Sequence, residues 1–553
     1  MHKKLSFLLV FAMLLSFLSS CLILTESHPT SRPPAPRDRT PDRNIGAELV
    51  DDIRVRDERI TLPFSATDAI HPYRAETVDN QAIAAILYEG LFTLGGAFVP
   101  EGQLATEIST LDGQTYQITL REGVQFHNGG TMTGADVLYS FAIAQDNPRF
   151  SGRLSNISAM TMATDEEGEP LPFALTVRLS RPHGNLAVLL NFPIIQDGAG
   201  GWTVPPGTGA FSFEYGAETS HLLRHDGHWA EERPSFGVIY LADLRTQPAL
   251  ESAFNAGSIS LLPFDPILPP ALTGRFDTRN FPSATLEFLG FNAGRSLLRE
   301  AEVRRAISLA IDRGQIADNF AAGQMVPTPQ VFHPLLDYYD NALSVNHMFN
   351  LEDARLLFDY TATPSSPLPE DNEDDAPTQN EQPEEERQNI ELTLLLVSGN
   401  MARVQTAQLI ADSLRGLGLT VILDPRAPED YLDALASGDF DLYLGSVRLQ
   451  PDFDVTTLLT GSLARGGTSG MIDRGLIDGF LATDPSERGH AAATLSEAMF
   501  TVQPIAPLGF RGLSLAVDAG SVVGLSPSQD NVYGNIWNWH VPVPEDDFSE
   551  RND

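Results

Sequence analysis

The sequence predicts an α/β fold, and three features carry that prediction. Residues 390–397 form an apolar run, residues 404–417 have helical periodicity ending at Gly418, and residues 419–423 return to strand-like composition. A strand, helix and strand so spaced make a β-α-β unit, which implies a parallel sheet. Residues 115–120 alternate as Thr-Tyr-Gln-Ile-Thr-Leu, the period of a half-buried strand. With 42% hydrophobic and 20% charged residues over 553 positions, the apolar content suffices for a large core spread over about two to four domains.

The elements follow in chain order. Lys3 and Lys4 precede an apolar run over residues 5–18 and the small residues Ser19 and Ser20, the layout of a signal peptide. The run is shorter than the ~20 residues a membrane-spanning helix needs. Leu18-Ser19-Ser20-Cys21 resembles the bacterial lipobox, so residues 1–21 are expected to direct export and Cys21 to carry the lipid. Residues 22–59, with Arg32-Pro33-Pro34-Ala35-Pro36, favour extended, solvated chain and read as a tether. The expected location is the outer face of the cell membrane, held by the lipid anchor, or the periplasm.

Structure is expected from Ile60 onward. Residues 135–144 read as a helix entered from Thr133, with Asp136 in its first turn. Residues 175–179 and 211–213 alternate as strands. Residues 303–320 recur at helical spacing through Val303, Ile307, Ala310, Ile311 and Ile316, which predicts one helix stopping near Gly323. Residues 363–388 hold Glu373-Asp374-Asp375 and Glu384-Glu385-Glu386 among Pro, Ser, Asn and Gln; with nothing to bury, they are expected to be a disordered acidic insertion.

Composition removes several functions. Lys+Arg number 36 against 73 Asp+Glu, a formal charge of −37, which disfavours nucleic acid as a partner. Lys3 and Lys4 are the only lysines and Cys21 is the only cysteine. That excludes from the mature body a phosphate-loop lysine, a Schiff-base lysine, a cysteine nucleophile and an intrachain disulfide. His221, His225 and His228 invite a metal reading, but no carboxylate spacing completes a site. Gly-x-Ser-x-Gly, His-Glu-x-x-His and Gly-rich phosphate loops are missing. The expectation is a binding protein, not an enzyme, with no cofactor and no metal.

A series of short strings, weak singly, keeps a common order along the chain: Leu87-Tyr88-Glu89-Gly90-Leu91, Leu120 through Gly129, Thr133-Gly134-Ala135-Asp136-Val137, Pro206-Gly207-Thr208-Gly209-Ala210-Phe211, Leu223-Arg224-His225 with Trp229, Phe288 through Asn292, Val303-Arg304-Arg305-Ala306-Ile307 and Gly438 through Leu442. This pattern resembles the family-5 extracellular solute-binding proteins, the oligopeptide and dipeptide receptors of ABC importers. Physically most of these residues read as scaffold: Gly123 and Gly129 suit positive-φ turns, Asp136 a helix start, Asn292 a strand-to-loop bond and Arg304 a tie from its helix to a neighbour. Trp537 and Trp539 suit either a cleft wall or core.

The resemblance implies a periplasmic-binding-protein-like fold of two hinged α/β lobes with an extra domain inserted in the first. On that pattern lobe I takes residues 60–92, 204–285 and 504–545, the inserted domain 93–203, and lobe II 286–503. It implies capture of a peptide or small solute by lobe closure, delivery to ABC permease and ATPase subunits, and a monomer. The alternative is a lipoprotein of the same fold acting as a sensor or adhesion module. Peptide receptors of this kind place an acid after a Gly-Trp strand end to pair with the peptide amine; here the stretch has no Trp, and Arg448 stands where the acid is expected. Asp452 or Asp454 then takes the amine, or Arg448 faces a ligand carboxylate; Asp454 equally suits capping the following segment.

Overall fold

The computed structural model describes residues 59–216, 219–362 and 390–542. The expected signal peptide, Cys21, nearly all of the tether and the acidic insertion lie outside the described residues.

Strands are numbered in chain order. β1 (Thr61–Phe64) opens the body, and β2 (Phe92–Leu94) and β3 (Pro100–Gly102) form a hairpin. β4 (Ala105–Thr110), β5 (Thr115–Leu120), β6 (Ile157–Thr164) and β7 (Pro170–Leu179) make an antiparallel sheet in the order β4-β5-β7-β6. β8 (Phe211–Glu214), β9 (His221–Arg224) and β10 (Val238–Asp243) join β1 in a second sheet. β11 (Leu261–Phe264), β12 (Phe276–Phe291), β13 (Met325–Pro327), β14 (Ile390–Val397), β15 (Leu419–Arg426), β16 (Leu442–Arg448) and β17 (Ile505–Asp518) form the largest sheet, ordered β11-β17-β12-β16-β14-β15 with β13 beside β17. β14 pairs in parallel with β15 and β16, and helix Met401–Arg415 connects the first two. This is the β-α-β unit that the periodicity predicts.

Two long strands organise everything else. β12 and β17 run antiparallel along nearly their whole length, with register shifts between Phe281 and Thr285 and between Glu287 and Phe288. Their outer ends, with Phe281, Leu515 and Val517, pack into a core that also buries Leu62, Leu87, Phe126, Phe211 and Trp539. Their inner ends, with Leu289, Ala506 and Leu508, pack into a different core with Ile307, Leu394, Ile410 and Leu442. The paired ribbon thus spans two hydrophobic cores, called below the first and second bodies, and both register shifts lie between its two ends. A bulge bends and twists its strand locally.

The expected single helix over residues 303–320 is two helices, Ala301–Ala310 and Arg313–Asn319. Ile311 is extended, and the Asp312 carboxylate accepts the Gln315 N–H as a new N-cap. Arg313, fully buried, donates to the Ser308 and Ile311 carbonyls and so closes the first helix at its end. The apolar stripe continues across the break, which is why periodicity alone reads one helix. Elsewhere local chemistry acts as expected. Thr133 and Asp136 form a reciprocal capping box before helix Gly134–Asp146, Gly123 and Gly129 have φ of 75° and 83°, Asn292 donates to the Gly438 and Phe440 carbonyls, and Arg304 ties its helix to the Val502 and Gln503 carbonyls.

Candidate functional site

Three of the strings that keep family order, those holding Glu89, Thr208 and Trp229, close around the Glu89 carboxylate. This buried group accepts from the Thr208 hydroxyl at 2.8 Å, the Trp229 indole at 3.1 Å, His228 Nε2 at 3.1 Å and Gln103 at 3.2 Å. Gly207 must be glycine, since a Cβ there would lie 2.2 Å from the Leu87 carbonyl. His127 and His225 meet edge to face and both face the Gly209 carbonyl. Burial pushes His127 down to about 3 and His225 downward as well, so neither is a cation at neutral pH. Trp539 is core, and Trp537 packs on His228. Among the described residues no three His, Cys, Asp or Glu side chains are placed to hold a metal ion.

The seam between the two bodies has different chemistry. From the first body come Phe98 at the tip of the β2-β3 hairpin, Arg149 and Arg153 after helix Gly134–Asp146, His183 and Gly184 beyond β7, Asn191, and the tail residues Gln529 and Asp530. From the second come Arg448 at the end of β16, the 450–454 turn, His333 and Leu481–Thr483. The Gly184 N–H donates to the Leu481 carbonyl at 2.7 Å. A Cβ on Gly184 would lie 1.9 Å from the Thr483 carbonyl, so only glycine allows this approach.

Beside that contact lies a buried aromatic zone. Phe98 meets Phe453 edge to face at 5.2 Å and His333 at 5.3 Å, and His333 lies 4.9 Å from Phe510. Phe98 and Phe453 both hold left-handed backbone, with φ of 61° and 59°. Bulky residues rarely adopt that region, and such strain gathers at ligand clamps and switches. Burial pushes His333 down to about 4.

The expected acids sit next to this zone. His183 Nε2 is 3.1 Å from Asp452 Oδ2, both side chains buried. His183 Nδ1 accepts the Asn185 N–H, which assigns the proton to Nε2 and makes it the donor to Asp452. Burial raises the Asp452 carboxyl, but His183 and the Asp454 N–H hold it below the ordinary value. Asp454 accepts the Thr456 N–H at 2.7 Å, ahead of helix Thr456–Leu459; burial and then the Asp452 charge push its carboxyl upward.

Arg448 donates to Asp530 Oδ1 at 3.1 Å and to the Gln529 carbonyl, and Asn191 donates to Asp530 Oδ2 at 3.1 Å. Arg153 donates to Asn191 Oδ1. Arg149 donates to the Pro72 carbonyl at 3.3 Å. Arg149 and Arg153 flank one ring, at 5.3 and 5.5 Å from Phe150. Burial, then Arg448 and Arg153, lower the Arg149 guanidinium; burial also lowers Arg153, against the pull of Asp530. Sequence reasoning reached Arg448, Asp452 and Asp454 but missed Arg149, Arg153, Asn191, His183 and Asp530. Two arginines four apart around a phenylalanine, in so acidic a chain, were the available signal.

The comparisons agree with this architecture. The family model "Bacterial extracellular solute-binding proteins, family 5 Middle" matches residues 99–466. The glutathione-binding protein GsiB of Salmonella paratyphi A is 25% identical over 286 residues, covering 49% of this chain and 55% of that protein. The chain thus spans about half the length of the curated relatives it matches. Among solved structures, a putative peptide binding protein AppA from Clostridium difficile aligns with TM-score 0.69 at 16% identity, over 88% of this chain and 100% of that one. The ABC transporter substrate binding protein CtaP of Listeria monocytogenes aligns with TM-score 0.67 at 17% identity, over 87% and 99%. With the family model matching well over half of its residues and the fold shared across nearly the full length of solved members, the chain belongs to the bacterial extracellular solute-binding proteins of family 5.

Proposed function

We propose that this protein is an extracytoplasmic receptor that captures a peptide or peptide-like solute by closing two lobes on it and delivers it to the permease and ATPase of an ABC importer. The observation that carries the reading is the seam: polar groups from both bodies converge there, and the bodies are joined along the β12 and β17 ribbon. A ligand touching both sides stabilises the closed arrangement by its differential affinity for it.

Arg448, at the end of β16, is the proposed partner of a ligand carboxylate. Of the two acids, Asp454 is the proposed partner of an amine, since it is only partly buried whereas Asp452 is buried and accepts from His183. The GsiB name makes a tripeptide of glutathione's size a reasonable first probe. Export with lipidation at Cys21 is part of the same reading, and among the described residues no helix is long and apolar enough to cross a membrane.

Native mass spectrometry of the full-length protein with an equimolar panel of di- to pentapeptides tests the receptor reading. One-to-one complexes that survive dilution are the expected result. Failure to retain any peptide, glutathione included, would overturn the peptide assignment.

A further inference from the structure

Of the seam's three acids, only Asp530 is hydrogen-bonded to a seam arginine, since Asp452 accepts from His183 and Asp454 from the Thr456 N–H. Arg149, Arg153 and Arg448 lie close enough for their charges to act on one another, and Asp530 is the carboxylate hydrogen-bonded among them. Arg149 and Arg448 are exposed, so solvent satisfies their spare N–H donors, whereas Arg153 is half-buried. Their side chains reach two carbonyls, one amide oxygen and one carboxylate oxygen. Arg153 Nε is buried and, among the described residues, has no hydrogen-bond partner.

Leaving a buried donor unmade is costly, and a buried charge without a partner more so. Structural arginines in this same protein avoid that cost. Arg304 and Arg313 each close on several backbone carbonyls. The three seam arginines are also split between the bodies: Arg149 and Arg153 belong to the first, Arg448 to the second. Gly152, between the first two, faces Gln450 of the second across a gap that leaves a Cβ only 3.3 Å from its amide nitrogen. A group bridging the three guanidiniums would therefore join both bodies.

We infer that the solute this receptor closes on is a polycarboxylate, with Arg149 and Arg153 binding one carboxylate from the first body and Arg448 another from the second. The inference rests on the receptor reading above and names its substrate class. Asp530 competes for Arg448 and sets a threshold: a ligand carboxylate must displace it, which a single weak anion does poorly. Planar guanidiniums suit two-point contact with carboxylates better than ammonium groups would. The overall charge of −37 does not forbid an anionic ligand, because at physiological salt charges more than ~8 Å away are largely screened and the local excess of arginine decides.

Calorimetry on the full-length protein with four probes tests the inference: triglycine amide with no carboxylate, triglycine with one, glutathione with two, and citrate with three and no peptide bond. Among the three peptides, affinity should rise with carboxylate number. Glutathione tighter than citrate identifies an acidic peptide as the solute, and the reverse identifies a non-peptide polycarboxylate; both support the inference. Arg153→Gln and Arg149→Gln should each weaken the best anion on the order of ten- to a hundredfold. Arg153→Lys should restore part of that loss, and triglycine amide should be indifferent to all three changes. Binding of triglycine amide as tight as glutathione, or unchanged anion affinity in both glutamine variants, overturns the polycarboxylate inference while leaving the receptor reading intact. No binding of any probe, together with no retained peptide in the mass-spectrometric panel, overturns both.

Discussion

Two groups of arginines lie near the crossing between the bodies, and their surroundings differ in one respect. On the ribbon, Glu287 of β12 accepts from Arg511 of β17 at 3.0 Å and from the Ser446 hydroxyl at 2.8 Å, and pairs with Arg403 at 3.3 Å. Arg511 also pairs with Asp265. Two cations meet two carboxylates there, and Glu287 is almost fully buried. In the seam, only Arg448 of the three arginines is hydrogen-bonded to Asp530, and the buried Arg153 Nε has no partner among the described residues. Balanced buried charge resists the removal of any member, because the group left behind keeps its desolvation cost. A buried donor without a partner already bears that cost, so removing Arg153 relieves the fold and, on the proposed reading, deprives a ligand. On the proposed reading, the ribbon network belongs to stability and the seam to binding.

The largest effect should come from the balanced side. Glu287→Leu leaves Arg403 without its carboxylate and Arg511 with one partner in place of two, and should destabilise by about 3–5 kcal/mol in urea unfolding. A loss under about 1 kcal/mol would mean the network is wetter than its burial implies, and the comparison would break.

The next effect is pH-dependent. His333 has a folded value of about 4 against an ordinary 6.5, so between those values the unfolded chain binds more protons. Stability is therefore full above pH 6.5 and falls as pH drops toward 4, by about 3 kcal/mol from this residue at roughly 1.4 kcal/mol per pH unit. His71 and His127, also pushed down, act in overlapping ranges. The readout is therefore the difference between the parent and His333→Asn, which should flatten the profile between pH 6.5 and 4. Parallel profiles would remove His333 from the account. Asp452 has the opposite charge type: its depressed value gives stability that is present above the ordinary carboxylate range and lost only as pH falls below it.

Gly184→Ala sharpens the comparison on the side of closure. The added methyl group meets the Thr483 carbonyl, which should cost about 1–3 kcal/mol of closed-state stability and enlarge the radius of gyration measured with ligand by small-angle scattering. The smallest effect on stability should be that of Arg448→Ala. Its ion pair with Asp530 is about half exposed, 52% on the arginine side, and exposed pairs contribute about 0–1 kcal/mol.

Much of the scaffold was legible because its determinants are local. The β14-helix-β15 unit, the Thr133 capping box and the positive-φ glycines are each specified within a few residues. The helix break at Ile311 was not, since Asp312 capping and the Arg313 bonds to Ser308 and Ile311 leave the apolar stripe unchanged. The site was legible on one side only. Arg448, Asp452 and Asp454 lie in a motif-bearing stretch, but their partners come from afar: His183 is 269 positions from Asp452, and Asn191 is 339 from Asp530. No periodicity links such positions; the crossing ribbon brings them together.

The most direct test of the division between balanced and surplus charge is Arg153→Met, measured for both unfolding free energy in urea and glutathione or citrate affinity by calorimetry. The account predicts unfolding free energy equal to or above that of the parent, because a buried unpartnered donor is removed, with anion affinity reduced at least tenfold. A loss of several kcal/mol in stability with affinity unchanged would contradict it, and would place Arg153 with Glu287 among the groups that hold the fold.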